Sequence, residues 1–391
     1  MSPDGWFYEG REQSYVKHEV LKRYLERFAI IVGKFSPGIT YVDCFSGPWR
    51  SRDEEAFQDT SFGIAISALR KANEAVEKTF HKKLKIRCFF VEENAAAYKK
   101  LRAFADGIAD AEITAVNGTF EANIPAILDF VKAGGTAFPF FFIDPTGWTG
   151  FALDRIKPLL QQQPSEVLIN FMTAHIKRFV EAPEKQRQEE FEQLFGSASF
   201  REEISAVSDL RDREDLLLSR YMEAVRTAGG FQFACASTVL HPVREHTHFH
   251  LVYCTRDPKG VDVFKGADKK AMEAMEEIRA KAQQDARIKG SGNLELFGAK
   301  EMKKTMGHYG FLRDRYTSLA KKYVKGMLEK DKKVPYDRAW AVAMRLPMVW
   351  ESDLKLWIEA WETKGRIGIE GLRGKARVPK RGAGLVLVWK A

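Results

Sequence analysis

Five short apolar runs, each followed by a stretch of helical spacing, recur between residues 38 and 172, and this alternation limits the fold more than any other feature. The runs are "GITYVDCFSGP", "IRCFFVEE", "AEITAV", "FPFFFID" and "SEVLINFM". Several place apolar side chains at consecutive positions, so both strand faces must be covered, as in a parallel sheet packed between helices. The segments between them (61–80, 94–106, 119–133 and the one after Phe151) space apolar residues three and four apart. With right-handed crossovers, the pattern predicts an open, doubly wound, Rossmann-like α/β sheet. A preceding helix is predicted over 12–34, where Val16, Val20, Leu21, Tyr24, Leu25, Phe28 and Ile31 form one stripe. Two later runs, "FQFACASTVL" and "THFHLVYCTR", bring the expected strand count to seven.

The remaining segments suggest four parts. Residues 1–36 form an N-terminal helical segment, and 37–260 the sheet domain, with a charged helical insertion at 181–229. Residues 261–333 are helical and highly charged, and 334–391 form a separate C-terminal domain. In that last part, "PYDRAWAVAMRLP" and "WESDLKLWIEAWETKG" read as short helices, and "RIGIEG" and "GLVLVWK" as strands flanking the basic loop "LRGKARVPKRGA". Helices followed by a basic hairpin predict a winged helix-turn-helix.

Charge supports a nucleic-acid contact there. The chain's net charge is +9, and residues 364–390 hold eight basic residues against the single acid Glu370. Clustered positive charge is the electrostatic footprint of a polyanion partner. Arg373, Lys375, Arg377, Lys380 and Arg381 are the expected contacts. No apolar run is long enough to span a membrane, and "MSPDGWFYEGREQ" has no signal-peptide character. The four cysteines, Cys44, Cys88, Cys235 and Cys254, sit in strand-like runs without CxxC spacing, so neither disulfides nor structural zinc is expected and the cytoplasm is the expected location.

Ligands of doubly wound sheets bind at the carboxyl ends of the strands. Asp43, Glu92, Asn117 and Asp144 all fall there. In "DCFSGP", a carboxylate precedes a glycine-containing turn through which backbone N–H groups approach a ligand. Phe45, Gly47 and Pro48 complete that turn, which has the form of the cofactor turn of S-adenosylmethionine-dependent methyltransferases. Glu92 is placed to hold ribose hydroxyls and Asn117 an adenine amino group, though an Asn-Gly pair also ends many strands. Asp144-Pro145-Thr146-Gly147-Trp148 resembles the Asp-Pro-Pro-aromatic motif that holds a substrate amine in amino-methyltransferases, with Trp148 as the stacking ring. Thr146-Gly147 replaces the second proline and the aromatic, and Trp148 stands one residue later. Asn170, His175, Lys177 and Arg178 follow the fifth strand on the expected substrate side. His246, His248 and His250 share a strand face without an acid at suitable spacing, so no metal site is expected.

"KHEVLKRYLERF", "YVDCFSGPWR", "FFIDPTGW", "LINFM" and "LVYCTRDPKGVDVFK", in that order, resemble the three-Cys-motif partner protein (TcmP) family from about Lys17 onward. The resemblance implies a class I methyltransferase-like domain with a C-terminal winged helix. It also implies a protein partner bearing a three-cysteine motif, phage-related and resembling radical enzymes. Asp43, Phe45, Gly47 and Pro48 match the family's cofactor turn, Glu92 its ribose position, and Asp144, Pro145 and Gly147 its Asp-Pro-x-Gly. The turn departs at Trp49, where the family has glycine. Three functions fit these residues. One is a methyltransferase using S-adenosyl-L-methionine on nucleic acid or a nucleic-acid-associated substrate. Another is a degenerate module that binds nucleic acid and recruits the three-cysteine partner. The third is a metal-dependent nuclease using Asp43, Glu92 and Asp144.

Overall fold

The structure is a computed structural model that describes residues 8–47, 51–53, 55–147, 149–174, 176, 185–196, 200–291, 307–372 and 379–390. The chain divides into two compact units, with the main boundary between residues 295 and 296.

The first unit is a mixed α/β fold built on a seven-stranded, mostly parallel sheet. Its strands are β1 (Gly38–Asp43), β2 (Lys85–Glu92), β3 (Glu112–Asn117), β4 (Phe138–Ile143), β5 (Glu166–Phe171), β6 (Phe233–Leu240) and β7 (Thr247–Thr255), in the order β3-β2-β1-β4-β5-β7-β6. β1 to β5 pair in parallel, and β7 runs antiparallel to β5. Every residue of β1 and β5 is buried, and Phe140, Phe141 and Phe142 of β4 have no exposed surface. Such strands need helices on both faces, and each buried phenylalanine contributes about 2 kcal/mol. At the sheet edge β3 is only partly covered.

On one face, α1 (Glu12–Val32) packs against α2 (Ser61–Phe80) and the long α9 (Pro258–Ser291), while α3 (Ala95–Asp106) touches α2 through Phe104 and Phe62. On the other face, α5 (Leu153–Leu160) packs against α4 (Phe120–Ala133) and α8 (Leu210–Gly229). The insertion expected over 181–229 contains α6 (Lys185–Phe195), α7 (Phe200–Ser205) and α8. Side-chain caps set several helix starts at the strand ends: Thr60 accepts from Gly63, Asn94 from Ala96 and Ala97, and Thr119 from Ala122. The N-terminal helix belongs to this unit rather than forming a separate segment, because its stripe is buried on α2 and α9.

The helical region expected over 261–333 divides between the units: α9 lies in the first and α10 (Gly307–Asp331) in the second. In the second unit α10 is followed by β8 (Lys333–Pro335), α11 (Tyr336–Met344), α12 (Glu351–Thr363), β9 (Ile367–Glu370) and β10 (Val386–Trp389). The three strands form an antiparallel sheet in the order β8-β10-β9. Trp340, Trp361 and Trp389 form part of its buried core. Among the described residues, no helix is long and apolar enough to cross a membrane.

Candidate functional site

An open cleft of about 1050 Å³ lies at the carboxyl ends of β1, β2, β4 and β5, where the order of the parallel strands turns from β1 to β4. Phe45, Gly47, Glu92 and Phe120 line one side, and Lys17, Asp144, Pro145 and Asn170 line the other.

The turn after β1 is set by local hydrogen bonds. Asp43 Oδ1 accepts the Phe45 N–H at 3.2 Å, Ser46 Oγ donates to the Asp43 carbonyl at 2.8 Å, and the Ser46 N–H donates to the Val91 carbonyl at 2.8 Å. This side-chain-to-backbone pattern is the reason an acid suits the position. It also corrects the expected role of Asp43. The residue has no exposed surface and lies beneath the cleft wall, so it shapes the turn instead of touching a ligand. Burial raises its carboxyl from the ordinary 3.8 to about 6, opposed by hydrogen bonds from Ser61, Phe45 and Ser46 and reinforced by the Asp144 charge.

Glu92 does reach the cleft. Its Oε1 accepts the Asn94 N–H at 2.6 Å, and Oε2 takes no hydrogen bond among the described residues. Burial pushes its carboxyl up, the Asn94 N–H pulls it down and Glu93 adds a small upward push. Asn117 is the second correction. Its amide donates to the carbonyls of Glu92 (2.7 Å) and Glu93 (3.1 Å), so it clamps the loop that carries Glu92 and does not line the cleft. The neighbouring Gly118 lines it instead, and Phe45 meets Phe120 with ring centroids 5.3 Å apart.

On the opposite side, Asp144 is held at both oxygens. Lys17 Nζ lies 2.5 Å from Oδ2, and Asn170 Nδ2 donates to Oδ1 at 2.7 Å. The side chains of Lys17 and Asp144 are each 12% exposed, so this ion pair is largely withdrawn from solvent. Lys17 also lies over the Phe249 ring, 5.9 Å from its centroid. Lys17 was not among the expected site residues. Its signal was present, because it shares a helix face with Val20, Leu21 and Tyr24, and a lysine within an apolar stripe needs a partner. Farther along the cleft, Arg11 pairs with Asp59 at 2.5 Å.

Pro145 lines the cleft. Pro48, Trp49, Trp148, His175, Lys177 and Arg178 lie outside the described residues, as do Arg373, Lys375 and Arg377. In the second unit Lys380 is exposed, and the Arg381 guanidinium stacks on Trp340 at 4.8 Å. His250 is tied to Thr173 at 2.7 Å and His246 to the Thr247 carbonyl at 2.9 Å, while His248 lines the cleft. Among the described residues, no group of three or more His, Cys, Asp or Glu is placed to hold a metal.

No family model matches the chain, and no curated protein matches it. Among solved structures, the chain is similar to protein LPL1258 from Legionella pneumophila str. Philadelphia 1, of the family DUF519. The two share 11% identity over 62% of this chain and 85% of that one, with a TM-score of 0.34.

Proposed function

We propose that the chain is an S-adenosyl-L-methionine-dependent methyltransferase, of the class I type and related to the TcmP family, that acts on nucleic acid. The observation that carries this reading is the cleft at the strand ends. One wall offers a largely buried carboxylate, one of whose oxygens takes no hydrogen bond among the described residues, and a pair of aromatic rings, and the other a polar cluster around Asp144.

The donor set suits the cofactor. Glu92 Oε2 would accept from the ribose hydroxyls, a pair of hydrogen bonds to a charged acceptor that is stronger than neutral ones. Phe45, already packed on Phe120, would offer one apolar surface to the adenine, and the Gly47 turn would lie along the methionine portion. The bound cofactor supplies an electrophilic methyl group on a sulfonium centre. Lys17, Asp144 and Asn170 hold the acceptor, and enforced geometry supplies most of the rate. Asp43, with no exposed surface, does not share the cleft with Glu92 and Asp144, so the three carboxylates of the nuclease alternative are not gathered in it. The C-terminal unit is read as a winged helix that brings the nucleic acid, with Lys380 on its basic loop.

Titration calorimetry with S-adenosylmethionine and S-adenosylhomocysteine tests the reading. Micromolar binding is expected, weakened about tenfold or more by Glu92→Ala and little changed by Asp144→Ala. A folded protein that binds neither compound overturns it and leaves the nucleic-acid-recruiting module, with its three-cysteine partner, as the better account.

A further inference from the structure

The acceptor side of the cleft differs from what amine methylation asks of it. An amino group about to be methylated must place its two N–H donors on acceptors, and Asp144 was the expected acceptor. Both of its oxygens are already engaged, Oδ2 by the Lys17 ammonium and Oδ1 by the Asn170 amide. Each oxygen keeps one further acceptor site, but the remaining donors of Nζ beside them favour a group that also accepts, which an amino group does poorly.

The same cluster has unmet capacity of both kinds. Of the three Nζ donors, one is used on Asp144 among the described residues. Asn170, 3% exposed and lining the cleft, has a buried carbonyl oxygen without a hydrogen-bond partner. Unsatisfied buried groups are costly, and a polar partner, whether water or a ligand group, would satisfy this one. A phosphate only accepts and an ammonium only donates, whereas a hydroxyl does both.

We propose that Lys17 and Asp144 form a subsite for a hydroxyl group, and that the nucleic acid accepted here is RNA, whose ribose 2′-hydroxyl is the group that DNA lacks. This rests on the methyltransferase reading. The hydroxyl oxygen accepts from Lys17 Nζ. The hydroxyl donates its own proton toward Asp144, and as its oxygen bonds to the methyl carbon that proton passes to Asp144 Oδ2, while the electron pair of the broken C–S bond stays on sulfur. Asp144 thus gains the single proton lost by the acceptor.

The experiment measures the binding of random-sequence single-stranded RNA, the same pool as DNA, and fully 2′-O-methylated RNA by fluorescence anisotropy, with S-adenosylhomocysteine present. Wild type is expected to bind RNA about tenfold more tightly than either other probe. Lys17→Ala and Lys17→Met should lose most of that preference and keep their affinity for S-adenosylhomocysteine, and Lys17→Arg should retain part of it. Equal binding of the three probes by wild type, or a preference that survives both Lys17→Ala and Lys17→Met, overturns the proposal while leaving the cofactor reading standing. Failure to bind S-adenosylhomocysteine counts against the underlying reading instead. The wild-type comparison of probes decides the matter if the variants do not fold.

Discussion

Each end of the sheet holds a carboxyl group gripped by the same helix, and the two grips differ in kind. At the carboxyl end, Lys17 of α1 meets Asp144. Two turns later, Tyr24 of α1 donates to Glu166 at the start of β5, on the opposite edge. Glu166 also accepts from Thr255 at 2.8 Å, and Tyr24 is linked to Tyr253 at 2.8 Å. Burial raises the Glu166 carboxyl, and the three hydroxyls around it pull it back. That lower cluster is sealed, with neutral partners and no cleft. The upper one has a charged partner, unmet donors and an opening to solvent. A closed network of neutral hydroxyls rigidifies, whereas an open ion pair with capacity to spare can exchange a partner for a ligand.

The largest expected effect tests the sealed end. Glu166→Ala leaves Tyr24, Tyr253 and Thr255 hydroxyls facing a cavity, and should cost on the order of 4 kcal/mol in denaturant unfolding while cofactor affinity of the folded fraction stays unchanged. If stability is unaltered, the lower cluster is not the anchor that the comparison requires.

Asp43 sharpens the comparison from the cofactor side. Its folded carboxyl titrates near 6 against an ordinary 3.8, so the native state holds the extra proton between those values. Its contribution to stability is therefore greatest below about pH 4 and is lost as pH rises through 6. Asp43→Asn removes this dependence, so the variant should gain about 3 kcal/mol relative to wild type between pH 4 and pH 8. A constant difference between the two stability profiles would show that burial of the charge is not what strains this turn.

The smallest effect is expected at the open end. A double-mutant cycle of Lys17→Met and Asp144→Asn should give a coupling of about 1 kcal/mol in stability, because the desolvation of two largely buried charges offsets most of their attraction. A coupling as large as the Glu166 effect would make the upper pair a structural bond and remove the contrast between the ends.

Much of the scaffold was legible before any coordinates. The run at 138–144 is β4, and the stretches 94–106 and 119–133 are α3 and α4 within a residue of the expected bounds. Apolar periodicity is a local property, and it survives folding wherever helices cover both strand faces. The strand-end rule also brought Phe45, Glu92 and Asp144 to one cleft.

Residue roles within that cleft depended on direction, which periodicity does not carry. Asp43 and Glu92 both end parallel strands, yet one carboxylate folds back under its own turn and the other faces the cleft. Asn117 looked like a ligand contact because it follows a strand, but its amide is committed to the adjacent loop. Sequence alone determined the alternation of strands and helices and the set of residues at the strand tips, since both follow from spacing along the chain. The partner of Asp144 was decided only by the tertiary structure. Lys17 lies 127 positions away on a helix that precedes the sheet, and only packing of α1 against α2 and α9 brings its ammonium to that carboxylate.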